Sequence, residues 1–465
     1  MTRLVAATIA VVTFLTLVAS SRAAPYAQLS SSRNQLGSST PTVVELDDND
    51  AVKGITNTSG HITFEQAGAY FLMAAAQVGS VDGKGQGSVR LWMRKNGKDV
   101  ANSNSEQTIL PGFTAVLVTQ GLAEIRAGDT MQLVYSVSAP DQKLGLIAST
   151  PSGEPMVPSM IFSAFKVDDG GYAQLSSNES QTAAAAAKPL TLNCTDAAWQ
   201  VERQSGVITC KTAGTYFLMA AGQVGCDSAG AKGRVRLWLR QNGLDVSNSS
   251  CEQTASPGFT AVLVSQGVVA CQADDRLEIV QSATGSGMGM VASTPSGEPT
   301  VPSLIVSLVK VADDAYAQLS SRESQLGASY EKVVRLEQTD AARNVENAAR
   351  AMTRSINKGT IAVQQDGVYF AIAAGQVGSA DGNGRGSSRL WLRKGGIDVA
   401  KSNTEQTIIG DYTTVLVSQG VGVAKEGNRF QLFHAATGTG VGLVAVEPKG
   451  EPAVPSMIFT MVKVD

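Results

Sequence analysis

At 465 residues, with 43% hydrophobic and 17% charged side chains, the chain has apolar material for several buried cores and too little charge for a disordered polymer. Its 47 glycines and 15 prolines are scattered rather than periodic, which excludes a collagen-like rod. A net charge of −3 without basic clusters argues against a nucleic-acid partner.

In chain order, residues 1–23 form a secretory signal peptide. Arg3 precedes an apolar run over residues 4–18, and Ser21-Arg22-Ala23 supplies a small-residue cleavage site. The run is shorter than the ~20 apolar residues of a membrane span, and no later stretch could span, so no stable membrane insertion is expected after signal removal. Cleavage leaves 35 basic against 40 acidic residues, net −5. The expected location is secreted and extracellular, with the periplasm or cell surface as alternatives.

Beyond the signal, the sequence repeats itself. Tyr-Ala-Gln-Leu-Ser-Ser opens at Tyr26, Tyr172 and Tyr316, steps of 146 and 144 residues. Arg-Leu-Trp recurs at Arg90, Arg236 and Arg389, and Gly-Glu-Pro-x-Val-Pro-Ser at Gly153, Gly297 and Gly450. Solenoid units run to ~20–50 residues, so each repeat here is long enough to be a domain: 24–168, 172–312 and 316–465. The joints Asp168-Asp169-Gly170-Gly171 and Ala312-Asp313-Asp314-Ala315 are very short.

Within a repeat the period is two. Residues 70–78, introduced by Gly68, are a continuous apolar run suited to burial on both faces. Arg90-Leu91-Trp92-Met93-Arg94 alternates and ends in the turn Lys95-Asn96-Gly97, repeated as Gln241-Asn242-Gly243. Further strands are predicted at 114–119, at 130–137 after Ala127-Gly128-Asp129, and at 160–167 after the proline-rich turn that begins at Glu154. Only residues 340–353 in the third repeat hint at a helical period. Many short strands with frequent turns predict an all-β sandwich or jelly roll.

These residues carry a resemblance. Ile62-Thr63-Phe64 with Gly68-Ala69-Tyr70-Phe71 resembles the G-x-F…G-x-Y-x-F stretch of the complement C1q globular head. Ile208-Thr209-Cys210 before Gly214-Thr215-Tyr216-Phe217 matches it again, including a cysteine common there. Ala76-Gln77-Val78 and Gly222-Gln223-Val224 are similar to the Gln-Val run of tumour necrosis factor ligands. Arg94-Lys95-Asn96-Gly97, Gly128-Asp129 before Met131-Gln132-Leu133, and the closing Met160-Ile161-Phe162-Ser163-Ala164-Phe165 follow in the family's order. The collagen stalk and the closing-strand glycine are missing, and the third repeat has an insertion around residues 344–355. The resemblance implies three tandem ten-stranded jelly-roll β-sandwiches of C1q/TNF type, each with both termini at one end. Joints of four residues then favour an intramolecular pseudo-trimer over independent beads, because a chain reaches at most ~3.6 Å per residue.

Candidate sites follow from the repeated residues. Arg90, Trp92 and Arg94, with Arg236, Trp238 and Arg240 and with Arg389, Trp391 and Arg393, offer an aromatic platform flanked by guanidiniums, suited to a sugar or an anion. The alternative is that each arginine stacks on its tryptophan and pairs with Glu106, Glu252 or Glu405. Glu154, Glu298 and Glu451 would gather at one end of a pseudo-trimer, where like charges favour a cation. Calcium is the metal the resemblance implies, against three solvated turns as the alternative, and no other cofactor is expected. The loops 80–87 and 379–386 carry too few acidic ligands for calcium and no following helix for phosphate.

His61 and His434, the only histidines, occupy non-equivalent positions without an orienting acid nearby, so catalysis is not expected. All five cysteines lie in the second repeat. Register makes Cys226–Cys251 the first choice for a disulfide, with Cys210 and Cys271 able to face one another in the core and Cys194 left over. Asn57, Asn178, Asn193 and Asn248 begin glycosylation sequons that matter in a eukaryotic secretory pathway. The expected function is non-enzymatic recognition of an extracellular protein or carbohydrate. The alternative is a structural component of a cell wall, coat or extracellular matrix.

Overall fold

The computed structural model describes residues 24–167, 170–226, 232–311, 313–348 and 359–465. The expected signal peptide lies outside them, as do parts of both joints and of the third repeat's insertion. Each repeat builds two seven-stranded antiparallel sheets, and each sheet draws its strands from one repeat only. The protein is all-β, with three repeated units of curled sheets, consistent with tandem sandwiches of the jelly-roll kind.

The long apolar run organises each unit. Gly68–Ser80 pairs along one edge with Ala115–Ile125 and along the other with Met160–Lys166 and then Leu144–Leu146. Tyr26–Ser31 lies beyond Met160–Lys166, with Tyr26 opposite Phe165. The chain therefore enters and leaves each unit side by side, and a short joint suffices. Gly214–Cys226 and Gly367–Ser379 occupy the same place in the second and third repeats.

In the facing sheet, Gly87–Lys95 pairs with Ser105–Ile109 and Thr130–Val137. Alternation points Val89, Leu91 and Met93 into the core, where they are fully buried. Asn96 and Gly97 turn the following hairpin at φ 49° and 76°, a left-handed pair that two-residue hairpins require. The third repeat makes the same turn with Gly395 and Gly396 at φ 58° and 85°.

The hint of helix at 340–353 is corrected. Gln338–Arg343 and Val345–Asn347 are strands, the first bonded to Tyr316–Ser321, while 349–358 lie outside the described residues. Ala341 and Ala342 favour a helix intrinsically, but a ready sheet edge supplies hydrogen bonds a short helix could not keep.

The run suited to burial on both faces is covered on its second face by the other repeats. Phe71, Phe217 and Phe370 meet pairwise, with ring centroids 6.0, 5.6 and 5.8 Å apart. A second triangle of Phe113, Phe259 and Tyr412 has centroids 5.7, 5.4 and 5.5 Å apart. Phe113 lies just before Ala115, which pairs with Val78, seven residues along the strand from Phe71. At ~3.3 Å per residue the two layers are roughly 23 Å apart.

Candidate functional site

The repeated residues that looked like two separate sites are each other's partners. Arg90 Nη1 donates to Glu298 of the second repeat at 2.9 Å, and Arg236 Nη1 to Glu451 of the third at 2.8 Å. Arg389 closes the ring onto Glu154 of the first repeat with two hydrogen bonds of 2.5 and 2.8 Å. The same arginines face Glu106, Glu252 and Glu405 of their own repeats at 3.3, 2.7 and 3.6 Å. Burial works against the charge of Arg389, but Glu154 and Glu405 outweigh it and hold the guanidinium above its usual range.

This geometry corrects the cation site. Glu154, Glu298 and Glu451 do not gather; each is neutralised by an arginine at a different interface. Among the described residues no group of three or more His, Cys, Asp and Glu side chains could hold a metal.

The aromatic platform is corrected as well. Trp92, Trp238 and Trp391 are fully buried, and their indole N–H groups donate to Asp99, Asp245 and Asp398 at 2.9, 2.8 and 3.0 Å. Arg94, Arg240 and Arg393 bind those same carboxylates, so each Arg-Trp-Asp cluster is closed to a sugar. Alternation gave the correct face but could not reveal that hairpin residues fold back over it.

The residues that join the repeats most extensively are glutamines. Gln77 of the Ala-Gln-Val motif donates to Glu405 O at 2.8 Å and accepts from Glu405 N at 2.9 Å, mimicking a backbone partner. Gln223 does the same with Glu106, and Gln376 with Glu252. Gln28, Gln174 and Gln318 of the opening motif accept from Val421, Leu122 and Val268 N–H across the same interfaces. Deeper still, Gln120, Gln266 and Gln419 donate to main-chain carbonyls of the next repeat. Recurrence of Gln in an apolar run was the available signal, because a buried amide needs partners and those in its own sheet, such as Ala115 O and Thr414 O, use only part of its capacity.

The remaining candidates are placed individually. His61 is exposed, against Gln132. His434 is buried with Nε2 2.7 Å from Ser388 Oγ; among the described residues no carboxylate hydrogen-bonds the ring, and burial closes the pair to substrate. Burial, with Lys332 and Arg389 nearby, pushes the imidazole down to about 4. An unfolded histidine titrates near ~6.5, so the unfolded chain takes up the proton first as pH falls. The neutral ring therefore contributes about 3 kcal/mol that is fully present above pH ~6.5 and lost as pH falls towards ~4. Gln281 occupies the same register position in the second repeat. His434→Gln should remove this part of the pH dependence in urea melts at neutral and mildly acidic pH; an unchanged dependence would contradict the assignment.

Cys194, Cys210, Cys251 and Cys271 carry free thiols in the structure. The first-choice pair, Cys226 and Cys251, forms no bond: Cys226 is half-buried at its strand end, and Cys251 is buried. The sulfurs in contact are those of Cys210 and Cys271, 3.2 Å apart in the core of the second repeat. Their position predicts that material made in an oxidising compartment is lighter by the mass of two hydrogens in a peptide linking Cys210 to Cys271. Recovery of both as alkylated thiols from such material would contradict it.

Of the sequons, Asn178 and Asn193 are exposed, while Asn57 is half-buried and donates to Leu46 O at 3.0 Å. Asn248 is corrected: it is 2% exposed and hydrogen-bonded to Asp340 and Arg322 of the third repeat, so a glycan there is incompatible with the fold. Among the described residues no helix is long and apolar enough to cross a membrane.

No family model and no curated protein matches the chain. Among solved structures, the globular domain of zebrafish complement 1qA is 16% identical, covering 31% of this chain and 99% of its own, with a TM-score of 0.22. Murine APRIL is 11% identical, covering 30% of this chain and 98% of its own, with the same TM-score of 0.22. The likeness is weak and partial.

Proposed function

We propose that the chain is a secreted, non-enzymatic recognition protein, a single-chain C1q-like pseudo-trimer that binds an extracellular protein or carbohydrate through its outer loops. The observation that carries this reading is the contrast between inner and outer residues. The glutamine and Arg–Glu contacts are equivalent at all three interfaces, whereas the hairpin tips diverge. The first repeat presents Lys98 there, and the second and third present Leu244 and Ile397, each 76% exposed. Covering these side chains with a partner would bury apolar area that the fold itself leaves in water.

Capture from extracellular fluid or on a glycan array, with the mature chain as bait, tests this. The double variant Leu244→Asp, Ile397→Asp should lose a partner that the parent retains, with an unchanged melting temperature. Undiminished capture would place recognition elsewhere. Self-assembly of the mature chain without any ligand would favour a structural component of a wall, coat or matrix instead.

A further inference from the structure

The three interfaces are equivalent in plan, but the clefts at two of them differ in volume. Between the first and second repeats a cleft of about 180 Å³ is lined by Leu72, Met93, Leu122, Ala123 and Met131. Its counterpart between the third and first repeats measures about 330 Å³. Two of the lining substitutions remove side-chain bulk from the larger cleft. Ala371 stands where the other repeats have Leu72 and Leu218, and Gly422 where they have Ala123 and Val269. The smaller cleft falls below the ~300 Å³ at which small-molecule sites begin, and the larger one reaches it.

The polar groups of the larger cleft also differ. Asp50, Asp196 and Asp340 sit at the same strand irregularity in each repeat. Asn102 of the first repeat donates to Asp196 at 2.6 Å, and Asn248 of the second to Asp340 at 2.5 Å. At the third interface the asparagine is replaced by Lys401, whose ammonium turns to Asp48 at 3.2 Å and to Ser32. Asp50 lines the cleft mouth as an exposed side chain. Loss of water around it, with Asp48 and Asp47 nearby, holds its carboxyl above the usual range against the opposing pull of Ser30 and Lys401.

Gln419, fully buried in the cleft wall, has an Oε1 without a donor among the described residues. Lys394 also lines the cleft, but its ammonium already donates to Val423 O at 2.8 Å and lies over Phe430. The walls are thus largely apolar, and beside the Lys394 ammonium the cleft offers a carboxylate at Asp50 and an unpaired amide oxygen at Gln419.

We propose that the cleft between the third and first repeats binds a small amphipathic amine, with its apolar body against Ala371, Leu392, Val421 and Phe430 and its ammonium at Asp50. Hexylammonium, with hexanol and hexanoate as comparisons, tests this by isothermal titration of the mature chain. Hexylammonium should bind saturably and more tightly than hexanol, and hexanoate should bind weakest.

Ala371→Leu restores the residue carried by the other two repeats and should abolish binding without loss of melting temperature. Asp50→Asn should weaken hexylammonium by about tenfold while leaving hexanol unchanged. Absence of hexylammonium binding, equal binding to Ala371→Leu, or hexanoate binding as tightly as the amine would each overturn the proposal.

Discussion

Phe71→Ala is expected to destabilise the whole chain by about 3–5 kcal/mol, the range for removing a buried phenylalanine. Phe71 is fully buried and touches Phe165 of its own repeat and Phe217 and Phe370 of the other two. Truncation would therefore open a cavity that belongs to three repeats at once. Because Phe217 and Phe370 also hold each other at 5.8 Å, the surrounding rings cannot collapse inward without separating from their own strands. One cooperative transition should shift to lower denaturant in urea. If instead one third of the signal melted early and the rest were unchanged, the repeats would be energetically independent. Leu244→Ala, at an exposed hairpin tip, should change stability by no more than ~0.5 kcal/mol and serves as the comparison.

The second large effect is expected at the pair that closes the ring. Arg389 and Glu154 are separated by 235 residues, and their side chains are 8% and 5% exposed. Arg389→Met or Glu154→Gln alone strands the partner in a desolvated interface and should cost about 3–5 kcal/mol. The double variant should cost less than the sum of the singles, leaving a coupling of about 1–3 kcal/mol in a double-mutant cycle. Additive costs would mean that the first and third repeats do not touch in solution. Glu405 also lies 3.6 Å from the Arg389 guanidinium, so Arg389→Met strands two carboxylates and should lose slightly more than Glu154→Gln, which leaves the arginine one partner.

Much of the fold was legible in the sequence because strand period and turn chemistry act locally. Residues 130–137 form a strand over the expected range, and Asn96-Gly97 makes the expected hairpin. The motifs at Tyr26, Tyr172 and Tyr316 were visible as repetition, but the task of their glutamines was not. Gln28 meets Val421 N–H 393 residues away, and no local pattern encodes that reach. The candidate site failed for the same reason. Arg90 read as part of a ligand platform or as a partner of Glu106, and Glu298 as one of three carboxylates at a cation site, and only the packing of repeats makes them a pair. Alternation put Trp92 on the outer face correctly, yet Asp99, seven residues on, folds over to hold its N–H. The helical hint near Ala341 was a propensity signal that a neighbouring strand edge overrode.

The mass in solution of the chain from residue 24 onward tests the pseudo-trimer most directly, by sedimentation equilibrium over a range of concentrations. Ring closure within one chain predicts the mass of a single chain, independent of concentration, because the inner face of each long strand is already covered. A mass of three chains would mean that those faces are covered by other molecules, and would contradict the account.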